Sequence, residues 1–196
     1  AGNNSPSSGS ISVTVDTANP MVTVEQASGQ ADPTNATPIN FTVTFDKAVS
    51  GFTSSDLTTS GTASATTGTV TEIAPNDGTT YNAAISGITN DGTIIVSVSA
   101  NKATDVAGNN NDASTSTDNT VTRSTKPEID ISGSGNSISD GDTTPSATDD
   151  TDFGNVLADG GTKTNTFTIT NTGLGDLALS GTPKVTISGT NASEFA

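Results

Sequence analysis

The sequence contains no cysteine, no histidine and no tryptophan, and only one tyrosine. Lysine and arginine together number six, against 21 aspartates and glutamates. Without cysteine, no disulfide supports the fold and no thiolate can ligate a metal. Without histidine or cysteine, neither a Ser–His–Asp nor a Cys–His nucleophile can be assembled. Nucleophile-elbow, P-loop and dinucleotide fingerprints are all missing. Paired carboxylates of the glycosidase kind usually work among aromatic sugar-stacking residues, and aromatics are 4% of the chain. The sequence therefore reads as that of a non-catalytic protein.

The formal net charge of −15 points the same way for polyanionic partners. A nucleic-acid backbone calls for clustered Lys and Arg, which this chain does not have, and an anionic membrane surface is excluded on the same ground. No apolar run is long enough to span a bilayer, so membrane insertion is not expected. A signal peptide is also missing from these residues, and export requires one outside them.

What is present is Thr, Ser, Gly, Asn and Asp, with Val, Ile, Ala and six Phe to build a core. Beta-branched residues in period-2 alternation predict short strands. Ile11, Val13 and Val15 alternate with polar residues and predict one strand. Val22 and Val24 predict a second, and Ile39, Phe41, Val43 and Phe45 the clearest of all. Further strands are expected in "GTASATTGTVTEI", "TYNAAISGI", "GTIIVSVSA" and "ASTSTDNTVTR". The two Asn-Asp-Gly triplets mark turns, since Asn and Gly tolerate positive φ. Beyond Pro127 the composition shifts to an acidic, loop-rich stretch. There "KTNTFTITNTG" predicts a strand with Phe167 and Ile169 inward, and two short strands are expected near Leu177 and Val185. The fold class expected is all-β, as tandem immunoglobulin-like antiparallel sandwiches.

The tetrapeptide "AGNN" occurs at residues 1–4 and again at 107–110. When the copies are aligned, Val15 falls on Val121. After one extra residue, Pro20 falls on Pro127, and Val22 and Val24 on Ile129 and Ile131. Loop, strand, Pro-containing linker and strand recur in that order, at the spacing of one immunoglobulin-like module, roughly 100 residues. The expected organisation is a terminal strand of a preceding repeat over 1–16, one domain over 17–126, and a second domain, short of strands, over 127–196.

Residues 20–122 resemble a bacterial Ig-like repeat of the kind found in tandem in large surface adhesins. The likeness is carried by "PMVTVEQASGQADPTNATPINFTVTFDKAVSGFTSSDL", "DGTTYNAAISGI", "DGTIIVSVSA" and "ATDVAGNNN". Residues 127–196 resemble the first part of a choice-of-anchor D domain, an Ig-like fold related to the ASPM–SPD-2–Hydin group, through "DFGNV", "TFTITNTGLGDLALSG" and "ISGTNASEF". These resemblances imply a mosaic extracellular or cell-surface protein of bacteria.

Calcium is the chemical expectation that the residues themselves raise. It takes six to eight oxygens from carboxylates, Asn side chains and loop carbonyls. The loop "DVAGNNND" offers Asp105, Asn109, Asn111 and Asp112, and the same side chains equally suit plain Asx turns that bond the backbone. In related adhesin repeats a junctional calcium stiffens the chain, and Asp16 resembles their linker Asp. Its counterpart at the second junction is Thr122. A second acidic group, Asp140, Asp142, Asp149, Asp150 and Asp152, reads either as a solvated loop or as a cation site.

Two functions are therefore expected of the chain. One is a spacer or stalk segment of a secreted adhesin or surface fibre, whose partners are neighbouring Ig-like modules of the same or identical chains. The other is a filament subunit in which a terminal strand completes a neighbouring chain's domain.

Overall fold

The structure is a computed structural model that describes residues 12–156 and 159–195. The chain divides into two compact units, Ala1–Arg123 and Ser124–Ala196. The paired strands of both are antiparallel.

The first unit is a two-layer sandwich. One layer is ordered β1–β2–β6–β5, with β1 at Val22–Gln26, β2 at Ile39–Phe45, β5 at Thr67–Glu72 and β6 at Thr80–Ser86. The other is β4–β7–β9, at Leu57–Ser60, Gly92–Val98 and Thr120–Arg123. A short pair, β3 (Val49–Ser50) and β8 (Thr104–Asp105), closes one end.

Period-2 alternation decides which face of each strand is inward. On β2, Ile39, Phe41, Val43 and Phe45 are all buried, and their antiparallel neighbours Val22, Val24, Tyr81, Ala83 and Ile85 continue the same face. Ile94, Val96 and Val98 of β7, with Val121 of β9, supply the opposite face. Few aromatics are available, and three are spent together: Phe45, Phe52 and Tyr81 pack edge to face with centroids 5.1–6.0 Å apart. Such pairs add about 1 kcal/mol each beyond their buried area.

The direction of the chain through this sandwich follows from its bridges. Thr23 forms a parallel bridge with Thr115, and the Gln26 N–H donates to the Asp118 carbonyl. Further along, Thr34 bridges Arg123, again in parallel. Residues 20–26 and 112–118 therefore run side by side in one direction, and β9 continues that way. The chain joins the sandwich at the end that carries β8 and leaves β9 at the opposite end.

The second unit has a three-stranded sheet, β11–β10–β12, at Asn136–Ile138, Ile129–Gly133 and Phe167–Asn171. Ser134 and Gly135, both at positive φ, join β10 to β11 in a tight hairpin. Gly133 is required by a close approach, since a Cβ there would meet the Asp149 carbonyl oxygen at 1.9 Å.

Several expected features differ. Residues 12–20 form no strand, and Val13 and Val15 are 79% and 75% exposed; Ile11 lies outside the described residues. Alternation makes a segment competent to be a strand, but a ladder partner is needed to make it one, and no described strand pairs here. Phe167 and Ile169 lie in β12 as expected but are exposed, not inward, because among the described residues no second layer covers that face. No strand forms near Leu177 or Val185. Conversely, β11 arises within the stretch expected to be loop.

Candidate functional site at the N-terminal end of the sandwich

The loop that follows β8 is organised by one carboxylate. Gly108, at φ +87°, turns the chain so that its N–H donates to the Asp105 carbonyl over 3.1 Å. The turn directs the Ala107 and Asn109 N–H groups at Asp105 Oδ1, each 2.9 Å away. Asn109 Nδ2 donates to Asp105 Oδ2 over 3.1 Å. The Asp105 side chain is 1% exposed.

Pairing of β3 with β8 places the β2–β3 connection, residues 46–48, beside this carboxylate. Lys47 therefore reaches it. Its Nζ lies 3.4 Å from Asp105 Oδ2, 3.2 Å from Asp16 Oδ2 and 2.8 Å from the Ala18 carbonyl oxygen. An ammonium has three donors, and these acceptors use all of them. Asp105 Oδ2 thus takes Lys47 and Asn109, while Oδ1 takes two backbone N–H groups, which occupies the four acceptor positions of a carboxylate.

The segment before β1 is fastened at further points. Asn109 Nδ2 donates to the Asp16 carbonyl over 3.1 Å, and Asn19 Nδ2 to Asp112 Oδ1 over 2.9 Å. The Asp112 N–H donates to the Pro20 carbonyl over 3.0 Å, and the Met21 N–H to Asp46 Oδ1 over 2.8 Å. Asp16 closes its own turn by accepting the Ala18 N–H at 2.9 Å.

These contacts set the ionisation of the cluster. The Ala18 N–H first, and Lys47 next, hold the Asp16 carboxyl below its ordinary value. Burial pushes Asp105 up, but the bonds from Asn109, Ala107 and Lys47 outweigh it and hold Asp105 low. Burial likewise works against the Lys47 ammonium, and its two carboxylates overcome this and raise it.

Of the residues singled out for calcium, Asp16, Asp105 and Asn109 do come together, with Lys47 between the two carboxylates. Asp112 is held by Asn19. Asn111 is 1% exposed and faces the backbone: its Oδ1 accepts the Lys102 and Ala103 N–H groups, and its Nδ2 donates to the Ser99 and Asp112 carbonyls. Among the described residues, no group of three or more His, Cys, Asp or Glu side chains is placed to hold a metal. Lys47 and Asn19 are the participants that reading the sequence missed. The available signal was that Lys47 is one of only six basic residues, two positions after a strand that ends at this pole.

The second acidic group is not gathered. Asp142 accepts the Thr144 N–H at 2.8 Å, Asp149 the Thr151 N–H at 3.1 Å, and Asp152 the Gly154 N–H at 2.7 Å, each closing a separate Asx turn. Asp150 contributes its carbonyl to Asn165, and no ligand geometry brings Asp140 to the others. At the opposite end of the first unit, Thr122 donates its N–H to Asp32, and Arg123 pairs with Asp91 at 3.5 Å.

Two facing antiparallel sheets around an aliphatic core, with polar clusters that tie loops to backbone, define a structural Ig-like sandwich. The chain belongs to the bacterial Ig-like domain family, whose model matches residues 16–122, more than half of the sequence. Membership suggests a structural role at the cell surface or outside it. Among solved structures, the N-terminal part of the bacterial S-layer protein SbsC aligns over 59% of this chain at 22% identity, with a TM-score of 0.36. The aligned part covers 26% of that chain. No curated protein matches.

Proposed function

We propose that this chain is a non-catalytic spacer segment of a secreted or surface-bound bacterial protein of the adhesin or surface-fibre type. The observation that supports this reading is the path of the backbone through the first unit: it joins the sandwich at one end and leaves at the other. A module threaded this way adds length with each copy, as stacked repeats do. The test is a series of concatenated copies of residues 16–123 measured by small-angle X-ray scattering. A maximum dimension that rises by a constant increment per copy is expected, and one that fails to rise sinks the reading.

A filament subunit is the second reading, supported by the exposed apolar residues of β10 and β12 and by the unpaired, exposed Val13 and Val15. Light scattering of the full chain distinguishes the two. The spacer stays monomeric, whereas the filament forms salt-resistant oligomers that disappear when residues 1–16 are deleted.

A further inference from the structure

Lys47 belongs to the sandwich, yet two of its three acceptors, Asp16 Oδ2 and the Ala18 carbonyl, belong to the segment that precedes it. The third, Asp105, is buried and held in place by its own loop. An ammonium that bridges a carboxylate of the sandwich and one of the segment before it performs the crosslinking that a metal ion performs between loops. It also uses the acceptor positions that such an ion would need, since Asp105 already accepts four hydrogen bonds.

We propose that the Lys47 ammonium is a built-in cation that locks residues Asp16–Asn19 onto the Asp105–Asp112 loop, so that this junction is rigid without a divalent ion. The lock has two reinforcing contacts, Asn109 to the Asp16 carbonyl and Asn19 to Asp112. The charged groups around it are Asp46 on the same turn as Lys47, Asp16 on the segment, and Asp105 and Asp112 on the loop. The pair with Asp16 is partly exposed, so concentrated salt weakens it; the Debye length shrinks to about 3 Å at 1 M. The inference concerns the conformation of residues 16–19 and goes beyond the spacer reading, whose failure would leave it intact.

The absence of cysteine makes the test direct. Spin labels on Thr14→Cys and Thr58→Cys in the full chain report the distance between the segment and β4. A narrow distance distribution is expected in the parent, unchanged by calcium or chelator and broadened by concentrated salt. Lys47→Met and Asp16→Ala should each lose the narrow peak. Asp16 lies outside the sandwich, so its variant tests the lock even if Lys47→Met does not fold. A narrow peak retained in Asp16→Ala overturns the proposal, as does a parent distribution that is broad until calcium is added.

Discussion

Asn111 and Ala103 bond each other twice. The Asn111 N–H donates to the Ala103 carbonyl over 3.0 Å, and the Ala103 N–H donates to Asn111 Oδ1 over 2.8 Å. With Lys102, Ser99 and Asp112 also attached, this one buried amide satisfies the backbone of two chain segments.

Replacing Asn111 should therefore be costly although it touches no ligand. Asn111→Ala strands the Lys102 and Ala103 N–H groups and the Ser99 carbonyl, for a loss of about 3 kcal/mol. Asn111→Asp, the same shape, should lose at least as much at neutral pH, because a carboxylate cannot donate to the Ser99 and Asp112 carbonyls. Denaturant unfolding of the two variants measures this, and equal stability of Asn111→Asp and parent would refute it.

Acid should release the junction before it unfolds the sandwich. Asp16 and Asp105 are held below their ordinary values, so their contribution is complete above about pH 4 and drains as the pH falls through their lowered native values. Lys47 is held above its ordinary value, so its share is complete below about pH 10.4 and is lost only as the pH rises through the raised native value. The spin-label distance should stay narrow between about pH 5 and 9 and broaden below about pH 4. Broadening near neutrality would contradict this.

Tyr81 provides a second titration, on the opposite side of neutrality. Burial, with Glu72 and Asp77 adding to it, pushes its phenol above the ordinary value. The unfolded chain then ionises first as pH rises, and the native state loses stability above about pH 10. Tyr81 is the one tyrosine in the chain, so phenolate absorbance reads it alone. The native curve should lie to the alkaline side of the unfolded one, and coincident curves would exclude the effect.

The second unit should bind a hydrophobic dye in its native state. Among its described residues only Gly133 and Asp149 are buried, while Ile129, Ile131, Phe167 and Ile169 are 37–47% exposed. Single-layer sheets of this kind leave apolar surface open to water. Anilinonaphthalene sulfonate fluorescence should be high for the full chain. It should fall in Phe167→Ser, with the melting transition of the first unit unchanged. An undiminished signal in that variant would place the dye elsewhere.

The strands with the strongest alternation, in "INFTVTF", "TYNAAIS" and "GTIIVSV", were legible because side chains repeat every second residue and one face of a sheet must be apolar. The very short β3 and β8 were not, since two residues carry no period. Within the loop, Asp105 and Asn111 stood out by residue type, but type alone does not say which way an amide or carboxylate faces. Asp105 turned inward to the backbone of its own loop and to Lys47, and Asn111 to the backbone of the β7–β8 connection at Ser99, Lys102 and Ala103.

By itself, the sequence determined the all-β class, the lack of the histidine and cysteine that Ser–His–Asp and Cys–His arrangements need, and which strand faces are apolar, because these depend on composition and local period. Tertiary structure alone decided whether an alternating segment found a ladder partner. Among the described residues, Val13 and Val15 have none, and Phe167 and Ile169 have partners but no covering layer. It also decided that Lys47, Asp16 and Asp105 meet, although they lie far apart along the chain. Their meeting depends on strand register, the pairing of Val49 with Asp105, which no single residue type announces.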